Sequence, residues 1–126
     1  MTDNIRELIY TSRAEPETDI DMILSEAHAR NTEQNVTGIL VFDGVNFMQL
    51  LEGAEYQVNY VFEKIADDPR HSEIIVRSRE VKYQRAFPDL PMEYCNQLAG
   101  NIEFPEGNTD PKITSMLARI AVMSCY

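Results

Sequence analysis

From Phe47 to Leu51 the chain is apolar but for a single amide, Phe47-Met48-Gln49-Leu50-Leu51. Read as a strand, this stretch points Phe47 and Leu51 one way and Met48 and Leu50 the other, so both faces are buried. Gln49 shares the side of Phe47 and Leu51. Left unpaired there, its amide would cost about 1–3 kcal/mol, so the fold has to give it partners.

The same alternation marks a strand from Ile5 to Ser12, with Leu8, Tyr10 and Ser12 on one face and Glu7, Ile9 and Thr11 on the other. A polar turn over Arg13 to Glu17 follows. Thr18 with Asp21 three residues later resembles a capping box, and Ile20, Ile23, Leu24 and Ala27 keep the spacing of one helical stripe to about Asn31. Val36–Phe42 and Val45–Leu51 read as two strands joined by Asp43-Gly44, a strong hairpin signal. After Gly53 a second helix carries Val58, Val61, Phe62 and Ile65, and Asp68-Pro69 stops it. Glu73 to Tyr83 is a long strand whose Arg77 and Arg79 suit an exposed edge. Met92 to Cys95 reads as a last short strand. Asp110-Pro111 then opens a final helix with Ile113, Met116, Leu117 and Ile120 on one side.

This order predicts an α+β, ferredoxin-like β-α-β-β-α-β core with a mixed sheet, both helices on one face, and an extra C-terminal helix. The two helices and the sheet beneath them would enclose a slot faced by Tyr10 and Gln49. Residues 1–95 form one domain in this reading. Residues 96–126 form an extension that caps the bare sheet face or meets another subunit.

Charge and composition narrow the function. Among 126 residues, 11 Lys and Arg against 21 Asp and Glu give a net charge of −10. That field repels phosphate backbones and argues against a nucleic-acid partner. No apolar run is long enough for a membrane helix, and the polar start is no secretory signal. The two cysteines, Cys95 and Cys125, lack paired-ligand spacing and read as reduced thiols of a cytoplasmic protein.

The common catalytic signatures are missing: no Gly-rich phosphate loop, no metal-ligand spacing, no nucleophile elbow. His28 and His71 fall in different contexts and form no ligand pair. What remains is a polar set aimed at the slot: Tyr10, Ser12, Asn31, Gln49, Asp68, Arg70 and His71. A phenol, a hydroxyl and two amides suit the edge of a heterocycle carrying carbonyls and ring nitrogens. The residues equally suit a Tyr–Gln pair bonded to backbone inside an ordinary core, and from spacing both readings stand.

Five motifs in register carry a family resemblance. Leu8-Ile9-Tyr10-Thr11-Ser12, Ala29-Arg30-Asn31 with Val36-Thr37-Gly38-Ile39-Leu40, Phe47 to Gly53, Asp68-Pro69-Arg70-His71, and Arg85-Ala86-Phe87-Pro88 with Met92 resemble the BLUF domain, a flavin-based blue-light sensor. The resemblance covers roughly residues 5 to 95. It implies FAD or FMN held between the two helices, with Asn31 on a ring carbonyl and Gln49 bridging Tyr10 to the N5/O4 side. Asp68, Arg70 and His71 match positions lining the ring and the sugar-alcohol chain, Ser12 is a weaker match, and Met92 matches the methionine whose strand feels Gln49. Arg30 stands where relatives vary and is given no ring contact. Leu90 replaces the tryptophan of many relatives. The resemblance implies a sensor and not an enzyme, acting on a partner protein or through its own oligomer. Two alternatives remain: an acylphosphatase-like hydrolase, for which the Arg13 turn lacks suitable glycines, and a ligand-sensing or dimerisation module with no light role.

Overall fold

The computed structural model describes residues 4–42, 44–88 and 93–96, the last four as backbone. The elements are β1 (Ile5–Ala14), α1 (Ile20–Glu33), β2 (Thr37–Phe42), β3 (Asn46–Gly53), α2 (Glu55–Ala66), β4 (His71–Lys82) and β5 (Glu93–Asn96). They form one sheet in the order β4-β1-β3-β2-β5. β1 to β4 pair antiparallel in the ferredoxin-like arrangement, and β5, parallel to β2, makes the sheet as a whole mixed. Among the described residues no helix is long and apolar enough to cross a membrane. The anticipated helix after Asp110, with Leu90 and Met92, lies outside the described residues.

β3 sits between β1 and β2, which is why its sequence is apolar on both faces. Phe47, Met48, Leu50 and Leu51 are all buried. On one face Leu8, Tyr10 and Leu51 pack with Val58, Val61 and Ile65 of α2 and with Val36. Full burial of these branched side chains is worth about 1.5–3 kcal/mol each, so this cluster fixes α2 on the sheet. The stripe of α1 behaves differently. Only Ala27 and Asn31 are buried, while Ile20, Ile23 and Leu24 stay half-exposed. Ile23 and Ala27 line a cleft between this helix and the sheet.

Several boundaries differ from the sequence reading for identifiable reasons. Asp19, not Thr18, caps α1, accepting from the Met22 N–H at 3.1 Å. The Thr18 hydroxyl is engaged elsewhere, donating to the carbonyls of Glu15 at 2.6 Å and Arg70 at 3.3 Å. α1 continues to Glu33, and Asn35 beyond it takes a left-handed φ of 54°, a conformation asparagine tolerates. β3 begins at Asn46, which pairs with Arg13, not at Val45, which with Gly44 at φ 101° belongs to the turn before it. β4 starts at His71, two residues early, by pairing with Ala14. It is an edge strand, as its charges foretold, with Ile75 and Val81 half in solvent.

Gly38 permits the close approach of β2 to β3. A Cβ there would lie 1.8 Å from the Leu50 carbonyl oxygen. Gly38→Ala is expected to cost about 2–3 kcal/mol, because the obstruction is backbone and cannot swing aside. Chemical denaturation of the variant checks this.

Candidate functional site

A cleft opens between α1, α2 and the sheet. Its apolar walls are Ile23 and Ala27 from α1, Leu40 and Phe47 from the strands, and Ile65 from α2. The polar groups facing it are Tyr10, Arg30, Gln49, Asp68, Arg70 and His71. A slot with apolar sides and a polar end suits a flat aromatic heterocycle.

The strand alternation delivers Tyr10 and Gln49 to its floor as register partners across β1 and β3. The Tyr10 hydroxyl donates to Gln49 Oε1, and both side chains are buried. Burial pushes the Tyr10 phenol well above its ordinary pKa, a rise that nearby Arg30 partly opposes and Asp68 reinforces. Tyr10 therefore keeps its proton. The Phe62 ring lies 5.6 Å away and the His71 ring 6.3 Å away, so the phenol is held in place from two sides.

At the end of α2 the charges are tied together. Arg70 Nε donates to Asp68 Oδ1 at 2.9 Å and Oδ2 at 3.0 Å, and its terminal nitrogen reaches Glu26 at 2.5 Å. The hydrogen bond from Arg70 holds the Asp68 carboxyl below the usual carboxylate range against its own desolvation. His71 Nε2 contacts the Ile65 carbonyl at 2.5 Å, and since a carbonyl only accepts, that nitrogen carries the proton. Nδ1 then accepts from the Ser12 hydroxyl at 2.8 Å.

Five of the seven polar residues singled out from the sequence thus meet in the cleft wall: Tyr10, Gln49, Asp68, Arg70 and His71. Ser12 stands behind the wall and orients His71. Asn31 is also outside the wall, fully buried at the end of α1. Met92 lies outside the described residues. Arg30, given no ring contact from the sequence, is in the wall. Its buried Nε has no hydrogen-bond partner among the described residues, and desolvation lowers its pKa against the pull of Tyr10, Asp68 and Glu26. The usable signal was its place one residue before Asn31, near the end of the helix that flanks the slot. Among the described residues no cluster of His, Cys, Asp and Glu could hold a metal.

Residues 5–93 match the family model described as "Sensors of blue-light using FAD". The chain is 42% identical over 89 residues to the blue light- and temperature-regulated antirepressor BluF of Escherichia coli K12, covering 68% of this chain and 22% of that protein. It is 34% identical over 95 residues to the photoactivated adenylate cyclase subunit beta of Euglena gracilis, covering 71% of this chain and 11% of that one. The chain thus spans about a fifth or less of these two relatives. A solved structure described as BlrB, a BLUF protein in its dark state, superposes with a TM-score of 0.82 at 31% identity, covering 98% of each chain.

Proposed function

The chain belongs to the BLUF family, the blue-light sensors using FAD, and from that membership we propose how its own residues do the sensing. It is a flavin-binding photoreceptor, and its work is sensing and not catalysis. The residues present fit a flavin. Apolar walls on both helices would sandwich a ring, and the partnerless Arg30 Nε offers a donor to its polar edge.

When bound, the flavin supplies a light-absorbing ring that becomes a strong oxidant on excitation. Tyr10 holds the proton and electron that this chemistry draws on, and its hydrogen bond to Gln49 is the path. Because Gln49 Oε1 accepts from Tyr10, the donating end of this amide is its NH₂, the end that would meet the cofactor in this reading. A half-turn or a tautomeric shift of that amide exchanges donor and acceptor, which gives the network two arrangements of similar shape. Asn31, buried behind the cleft wall at the end of α1, would bond a ring carbonyl of the bound flavin, as the family resemblance implies. Asp68, Arg70 and His71 would line the ring and sugar-alcohol chain, with Ser12 steadying His71. Met92 feels the state of Gln49. The single observation carrying this reading is the buried Tyr10–Gln49 bond at the floor of an apolar-walled cleft.

Output goes to a downstream protein or to a second copy of the chain, with residues 96–126 as the extension beyond the flavin-binding domain. Relatives named as an antirepressor and an adenylate cyclase subunit favour an effector of this kind. FAD is the cofactor of the family description, and chromatography of the released flavin separates it from FMN.

The purified protein is expected to be yellow, with flavin bands that move reversibly to longer wavelength under blue light. Colourless protein that refuses added FAD and FMN would sink the reading. Asn31→Ala is expected to lower flavin retention by about tenfold, the loss of roughly one well-made hydrogen bond to the ring. The flavin-to-protein ratio after purification measures it.

A further inference from the structure

On the sheet face turned away from the cleft, Glu7, Glu52 and Thr37 form one row across β1, β3 and β2. Both glutamate side chains are fully buried. Like charges directly opposed across strands repel, and Lys82 at the end of β4 answers this by bonding both carboxylates. Nothing in the sensing chemistry above uses this cluster.

The sheet order explains its place. β4 lies at one edge and β5 at the other, and the chain leaving Lys82 begins its crossing of the sheet with residues 83–88. The crossing is pinned at Glu52. Its Oε2 accepts from the Ala86 N–H and its Oε1 from the Phe87 N–H, both at 2.8 Å. Arg85 beside them donates to Thr37 Oγ1 at 2.9 Å, to the Glu52 carbonyl at 3.3 Å and to the Asn35 carbonyl at 2.9 Å. Glu52 and Gln49 are three residues apart on β3 and point to opposite faces.

We propose that Glu52 is the positioning residue through which β3 passes the state of Gln49 to residues 85–87 and on to β5. The proposal rests on Gln49 being the sensing residue. A carboxylate gripping two consecutive backbone N–H groups with charge-assisted bonds leaves this part of the crossing no freedom to lag behind the strand. β3 therefore carries the cofactor contact on one face and the grip on the crossing on the other.

The test is backbone hydrogen exchange over residues 84–88 and 93–96 in the flavin-loaded full chain, in darkness and under blue light. In the wild type the two conditions are expected to differ. Glu52→Gln keeps one acceptor but turns an NH₂ toward a backbone N–H. It is expected to retain flavin and the red shift while the light–dark difference shrinks at least fivefold. Ala86→Pro removes one gripping N–H without disturbing the buried charges and serves if Glu52→Gln does not fold, with a reduced difference again expected. Either variant retaining the full difference overturns the proposal, and so does a wild type that shifts its spectrum with no exchange difference in these segments. A wild type with no spectral shift at all defeats the assignment of Gln49 first, and this proposal with it.

Discussion

Gln49→Leu is expected to leave flavin bound and to abolish the reversible red shift under blue light. Leucine matches glutamine in volume, and Phe47 and Leu51 flank the position on the same face, so the cleft keeps its shape. What disappears is the amide that accepts from Tyr10 and that we propose joins it to the cofactor. Tyr10 then loses its acceptor, which costs about 1–3 kcal/mol unless water or the flavin takes the proton donor. Tyr10→Phe removes the other half of the same bond and should give the same phenotype, yellow and unresponsive. Absorption spectra in darkness and after illumination settle both, and a full red shift in either variant would remove that residue from the sensing pathway. Because the two residues act through one bond, the double variant should look like either single one.

Most of this site was legible because period-two alternation is a rigid rule. Once 47–51 is a strand buried on both faces, Gln49 must share a face with Phe47, and Tyr10 with Leu8 and Ser12. That the two meet follows from the antiparallel register Tyr10↔Gln49, which the sequence alone leaves undetermined. The helix stripes were less informative. The α2 stripe is buried at Val58, Val61 and Ile65, whereas the α1 stripe lines a cavity and leaves Ile23 and Leu24 half-exposed. An apolar stripe reads alike whether its partner is protein or ligand. Arg30 was missed for a related reason: a basic residue in the last turn of a helix ordinarily complements the helix dipole in solvent, and here its guanidinium turns inward. The polar row on the far face was invisible as well. Glu7 and Glu52 each look like the solvent-facing residue of a strand, yet both are buried, with Lys82 on both carboxylates and the Ala86 and Phe87 N–H groups on Glu52.

That row sets the second large expectation: Lys82→Met should destabilise the fold by about 3–5 kcal/mol, with or without flavin. The lysine is the shared cation of two buried carboxylates that the register places side by side, and methionine fills its volume but takes away the cation that both share. In a domain of this size such a loss lowers Tm by roughly 10–20 °C. Burial alone would pull the Lys82 ammonium toward neutrality, yet its bonds to Glu52 and Glu7 outweigh this and raise its pKa above the ordinary value. Because the folded value lies above the unfolded one, this stabilisation is complete below about pH 10.5 and is lost as pH rises through the folded value. Wild-type Tm should therefore fall more steeply above pH 10.5 than that of Lys82→Met. Equal slopes would mean that the lysine is not what neutralises the pair. Adding Glu7→Gln to Lys82→Met should recover part of the loss, since it removes one of the two stranded charges and leaves Glu52 with its backbone donors from Ala86 and Phe87.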